Sequence, residues 1–313
     1  MQGLIVLLFF SPFTSFVPWV SGQFPCPDPE DISPCTCDHY TEWNENDIHV
    51  DCSSATTSEI FSIFNDVPWL SKLTGFNMWY NRAVTELSEG IFGDVTFESI
   101  TITGASNLTA VHESVLLASK DSLELATCVY CSLEDFPWDV LPQMVALKVV
   151  GLEGNDLMTI PGLQSPTLEH LDLSYNRISA LEGEWFLPSL RIFYLINSPV
   201  AELPDGFLTS LESLESFSCA GCQLGPTLPS GKLVFHSQAL KDVTLSGNGI
   251  VALEGEAISG HRSNSRISLS NNLITEVAEE VFRPIVEVFV SGDGHLGLSG
   301  EFHASSLVLS KLT

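Results

Sequence analysis

The feature that most constrains this chain is a spacing that repeats. Leu168, Leu171, Leu173, Asn176, Ile178 and Leu181 fit the order L-x-x-L-x-L-x-x-N-x-L-x-x-L. The preceding unit, Leu147, Val150, Leu152, Asn155, Leu157 and Ile160, starts 21 residues earlier. A later unit has Leu240, Val243, Leu245, Asn248, Ile250 and Leu253. Weaker copies start at Leu190, Leu214 and Asn264, and earlier ones at Leu73, Phe97 and Leu123. The starts lie 24, 26, 24, 21, 22, 24, 26 and 24 residues apart.

That spacing has a mechanical meaning. The fourth and sixth positions flank one outward residue on a short strand, so both point into a core. The asparagine amide can satisfy backbone groups of the turn that follows, where no ladder partner exists. One unit cannot bury its apolar face alone, so stacked units share a continuous core. The period and the residue order are those of leucine-rich repeats. The fold class expected is an α/β solenoid: a curved parallel sheet on the concave side, with short helices or irregular segments on the convex side. The first two units carry one extra residue after Asn81 and Ala105, read as turn insertions.

The organisation expected is a signal peptide at 1–22, a cysteine-rich N-terminal cap at 23–72, about nine repeats at 73–290 and an atypical or truncated end at 291–313. The apolar run Leu4–Phe10, followed by Val20-Ser21-Gly22, reads as a cleaved secretory signal, although no Lys or Arg precedes it. Pro12 and Pro18 argue against a spanning helix. At the other end the pattern fades after Phe282-Arg283-Pro284-Ile285, and Leu296 and Leu298 look like one more short strand. Ser305–Thr313 either cover the last core as an edge or end a truncated chain.

Charge narrows the partners. Twelve Lys and Arg stand against 39 Asp and Glu, a formal net charge of −27. Such a chain repels phosphate backbones and anionic membrane surfaces. High acidic charge also simply keeps a secreted protein soluble.

Eight cysteines in a chain with a secretory signal point to disulfides and an extracellular location. Cys26, Cys35, Cys37 and Cys52 have the layout of a solenoid N-terminal cap, and four cysteines allow three connectivities. Cys128/Cys131 and Cys219/Cys222 are C-x-x-C pairs. Repeat phase places Cys128 and Cys219 at the sixth position and Cys131 and Cys222 at the asparagine position, so all four are repeat-core cysteines. Four strands at ~4.8 Å put the pairs ~19 Å apart, too far for one zinc ion. Each pair either closes a local disulfide or stays as buried thiols.

Catalytic patterns are missing. Gly225–Lys232 imitates a phosphate loop, but has five residues between its glycines and Leu233 after the lysine. There is no G-x-S-x-G and no H-E-x-x-H. The acidic group Asp38, Glu42, Glu45, Asp47 and Asp51 lacks calcium-loop spacing. The reading is therefore of a non-enzyme with no cofactor and no metal. Asn107-Leu108-Thr109 is a glycosylation acceptor.

Residues between the core positions face the concave side. Trp79, Tyr80, Tyr130, Tyr175 and Tyr194 recur there and form the expected binding face, since such rings bury much area at little entropic cost. Isolated exposed aromatics also occur without function.

The block from Cys26-Pro27-Asp28-Pro29 to Cys35-Thr36-Cys37 resembles a family of secreted crustacean leucine-rich-repeat proteins, similar to the non-catalytic subunit of Oplophorus luciferase. Asp51-Cys52-Ser53, Ile160–Pro166 and Val281–Ile285 extend the likeness across about residues 26–290. The resemblance implies the pairing Cys26–Cys37 and Cys35–Cys52. It also implies an accessory chain that associates with a smaller secreted enzyme subunit, which carries the chemistry. The family's cysteine-containing C-terminal cap has no counterpart after about residue 291. The function expected is thus a secreted binding scaffold or carrier acting through protein–protein contact. The alternative is an extracellular recognition protein of immune or adhesion type.

Overall fold

The computed structural model describes residues 26–40, 47–70, 72–200, 203–299 and 303–304. The segment 1–22 expected to be a signal peptide and Ser305–Thr313 lie outside the described residues. So do Glu42 and Glu45.

The chain is a leucine-rich-repeat solenoid built on a single twelve-stranded sheet. Its first strand, Thr36–Tyr40, pairs antiparallel with Asp47–Asp51; every later pairing in the sheet is parallel. Registry follows the repeat phase: Leu171 lies opposite Val150 and Phe193, and Phe217 opposite Phe193 and Val243. A last strand, His295–Gly297, pairs with Arg266–Ser268. The connections on the other side carry a helix at Thr57–Asp66, a short one at Ser114–Leu117, 3-10 turns at Trp138–Gln143 and Phe207–Ser210, and a helix at Glu279–Glu287.

Local sequence explains the first helix. Thr56 accepts the amide of Glu59, and the Glu59 carboxylate accepts the amide of Thr56, so two otherwise orphaned donors are satisfied. Its apolar side, Ile60, Ile63 and Phe64, is buried. Phe64 meets Phe76, Phe92 and Phe97 edge-on at centroid distances of 5.2–6.1 Å, and Trp69 stacks on it. Phe193, Phe207, Phe217 and Trp185 form a second aromatic group farther along.

The asparagine position binds neighbouring repeats together as well as bracing its own turn. Asn155 Nδ2 donates to the Cys128 carbonyl at 2.6 Å and to that of Leu152 at 3.0 Å, while its Oδ1 accepts the Leu133 amide. Asn176 repeats this with Leu152, Leu173 and Leu157. Asn248 does so with Cys219, Leu245 and Leu224. Ser198 substitutes with its hydroxyl, which donates to the Leu173 carbonyl and accepts the Asn176 amide. Only Asn81, whose Oδ1 accepts the amides of Ala83 and Val84, also braces the turn that follows it as the sequence suggested.

Replacing Asn155 by Ala therefore strands a buried carbonyl and a buried amide. Urea denaturation is expected to show a loss of about 2–3 kcal/mol. The exposed pair Lys148–Glu124 supplies the control, since Lys148→Ala should cost far less than the loss of the buried asparagine. Equal losses for the two variants would refute the role given to the asparagine.

Candidate binding face

The sheet face opposite the core is the open one, and its outward residues alternate with buried ones. Trp79 closes the strand Lys72–Trp79 and is 41% exposed, and its amide donates to Ser53 Oγ at 2.8 Å. Tyr194 closes Ile192–Tyr194, half-buried against the His170 ring at 5.8 Å. These two stand where the alternation put them.

Tyr80, Tyr130 and Tyr175 do not stand on the strands. Each occupies the residue just before the asparagine position, in the turn that leaves the strand, with φ of +52°, +52° and +55°. That left-handed conformation is costly for a bulky residue. The same position holds Gly104, Gly154, Gly221 and Gly247, or Asn197 and Asn271, all with positive φ. The repeat imposes this backbone on whatever residue occurs there.

The glycines have a second use. A Cβ on Gly104 would lie 2.6 Å from the Tyr80 ring, and one on Gly154 would lie 2.3 Å from the Tyr130 ring. Each of these tyrosines is seated over the glycine of the next repeat. Tyr130 is held further by its hydroxyl, which donates to Glu153 Oε1 at 2.6 Å. This bond raises the Tyr130 phenol above its ordinary value, and the negative charge of Glu153 adds to it. Tyr80, Tyr130 and Tyr175 are 76%, 54% and 49% exposed, so the row remains open to a partner. The Tyr–Gly alternation at this position was the available signal for the seats, together with Glu153.

Charge is sorted across the sheet. At its leading edge Lys72 pairs with Glu98, Lys148 with Glu124, Arg191 and Lys241 with Glu215, and Arg266 with Asp242. The Glu215 carboxylate is held below its ordinary range by Arg191 and then Lys241. Glu153 and Asp172 bring negative charge to bear on Tyr130. Burial holds the His170 imidazole below its ordinary value, and its Nε2 has no hydrogen-bond partner.

The remaining sequence candidates are placed as follows. Disulfides join Cys26–Cys37, Cys35–Cys52 and Cys219–Cys222. Cys128 and Cys131 are buried free thiols. Asn107 is exposed, its amide donating to the Arg82 carbonyl at 2.8 Å. Asp47 bonds His49, and Asp51 accepts both the amide and the hydroxyl of Ser53. Lys232 of the imitation phosphate loop donates to the Leu203 carbonyl. Among the described residues no group of three or more His, Cys, Asp or Glu is arranged to hold a metal ion. No described helix is long and apolar enough to cross a membrane.

Comparison with known proteins agrees with this architecture. The Leucine Rich Repeat family profile matches residues 167–188. The chain is 29% identical over 273 residues to the Oplophorus-luciferin 2-monooxygenase non-catalytic subunit of Oplophorus gracilirostris, covering 85% of this chain and 74% of that one. It is 31% identical over 159 residues to the leucine-rich repeat-containing G-protein coupled receptor 4 of Xenopus tropicalis, covering 49% of this chain and 16% of the receptor. Among solved structures it is similar to TLR13 in its complex with ssRNA13, with TM-score 0.53, 16% identity and 84% of this chain covered. It is similar also to the glycosylated Drosophila Toll–Spatzle complex, with TM-score 0.52, 13% identity and 90% covered. This chain spans 45% of each of those two structures, and at such identity the likeness is one of fold.

Glu153→Gln removes the carboxylate that raises Tyr130. A spectrophotometric tyrosine titration is expected to move one phenol to lower pH. Gly154→Ala should do the same by displacing the ring, and also cost about 1 kcal/mol or more through its positive φ. Unmoved titration in both variants would contradict the seating.

Proposed function

We propose, on the premise that the chain is a leucine-rich-repeat protein related over most of its length to a non-catalytic luciferase subunit, that it is a secreted, non-catalytic scaffold or carrier binding a protein partner on its open sheet face. The observation that carries this reading is the row Tyr80, Tyr130 and Tyr175, flanked by Trp79 and Tyr194. Rings of this kind dominate binding energy when a partner covers them. Seating on glycine and the bond to Glu153 hold Tyr130 before any partner arrives, which lowers the entropic cost of association. The paired disulfides of Cys26, Cys35, Cys37 and Cys52 suit an oxidising, extracellular setting. The net charge of −27 makes a nucleic acid an unfavourable ligand. Asn107, exposed in the turn that leaves the strand Thr96–Thr103, is the acceptor proposed for a glycan.

Purification from the secreting tissue tests the accessory-subunit reading. A smaller enzyme is expected to accompany the chain in fixed ratio; its absence under mild conditions supports the recognition-protein alternative instead. With the partner in hand, Tyr175→Gly combined with Tyr194→Ala should weaken binding at least ~10-fold. Glycine keeps the left-handed turn at position 175, so the fold is expected to survive. Unchanged affinity in the folded double variant would rule out this face.

A further inference from the structure

We infer that Cys128 and Cys131 are a thiol–disulfide site, which closes in oxidising surroundings into a staple across the turn that carries Tyr130. Three observations converge on it. The two sulfurs lie 2.8 Å apart, with the Cys128 thiol directed at Cys131. The pair holds the same repeat positions as Cys219 and Cys222, which are joined. And the pair sits where two successive repeats hold Ala105 and Cys131 in place of the bridging asparagine. Ala105 has no polar side chain to bridge, and the Cys131 sulfur contacts the Val129 carbonyl inside its own turn, at 3.7 Å. Cys222, by comparison, reaches back to the Leu195 carbonyl of the preceding repeat. Two successive repeats thus lack the asparagine bridge, and a covalent bond within the turn supplies the missing restraint.

What the bond encloses gives it a consequence. The residues between the cysteines are Val129 and Tyr130, so the ring contains the left-handed tyrosine. At the joined pair the enclosed left-handed residue is Gly221. Gly221 takes up this backbone without steric cost, whereas Tyr130 takes it up at a cost. Closing the ring at Cys128–Cys131 removes extended conformations from this turn and fixes the phenol toward Glu153.

The chemistry balances with a small disulfide such as oxidised glutathione as the electron acceptor. Cys131, 8% exposed against 4% for Cys128, is the first to react. Hydrogen bonding from Cys128 lowers Cys131 below the ordinary cysteine value, while burial pushes Cys128 well up. The Cys131 thiolate, its proton lost to water, attacks one glutathione sulfur, the glutathione S–S bond breaks and one glutathione leaves as thiol. Cys128 then gives its proton to solvent and attacks the Cys131 sulfur, the mixed disulfide breaks and the second glutathione leaves. Two protein thiols are oxidised and one glutathione disulfide is reduced.

The test uses the full chain, secreted from an expression host, gently reduced and then treated with oxidised glutathione. The protein is unfolded without reductant, labelled with a maleimide and mapped by peptide mass spectrometry. The expected result is an unlabelled peptide linking Cys128 to Cys131, lighter by two hydrogens than the dithiol. Labelling of both, or a bridge from either to another cysteine, overturns the site. Hydrogen exchange reads the staple: the Tyr130 amide, which donates to the Glu153 carbonyl at 2.8 Å, should exchange at least ~5-fold more slowly in the oxidised protein. Equal exchange overturns the restraint on Tyr130. The value of that restraint for recognition rests on the proposed binding face, whereas labelling and exchange need no partner, so the two readings fail separately.

Discussion

The rest of the structure depends on one problem of satisfaction: each repeat leaves its strand through a turn whose backbone groups are buried and have no ladder partner. An asparagine side chain answers it, its Nδ2 donating to a carbonyl of the preceding repeat and its Oδ1 accepting an amide from that same preceding repeat. A bond that spans two repeats sets their separation and registry together. Parallel strands then stack apolar residue on apolar residue, Leu171 against Phe193 and Phe193 against Phe217, which fills a core that no single unit has. The left-handed residue before this position recurs in every repeat, including those where Ala105, Cys131, Ser198 or Cys222 replaces the asparagine.

From this single device the open face acquires its character. A glycine relieves the left-handed turn, and a tyrosine burdens it. Where the two alternate from repeat to repeat, the glycine of one provides a flat seat for the tyrosine of its neighbour. The rings are therefore arranged by the backbone, and Glu153 orients Tyr130 further. The paired charges along the leading edge contribute little stability individually because they are exposed. They neutralise the cations there and leave the charge of Glu153 and Asp172 to act on Tyr130.

The legibility of this protein is uneven for physical reasons. The core was readable because burial demands apolar residues at fixed intervals: Leu147, Leu168 and Leu240 announce it without help. The cap cysteines were readable as a group, but their pairing depended on resemblance, since connectivity is a matter of distance in space. Trp79 and Tyr194 were placed correctly on strands by alternation. Tyr80, Tyr130 and Tyr175 were read as strand residues and stand in left-handed turns, because period-two reasoning stops where the strand stops.

What the sequence determined by itself is the repeat: its period, its buried positions, its acidic charge and the phase that carries both C-x-x-C pairs into the core. These are properties of residue type and spacing. The tertiary structure decided which groups meet across repeats: Tyr130 over Gly154, Asn155 on the Cys128 carbonyl, one cysteine pair joined and the other left as thiols. Such contacts join residues some two dozen positions apart, and they depend on ångström-scale registry that spacing alone leaves open.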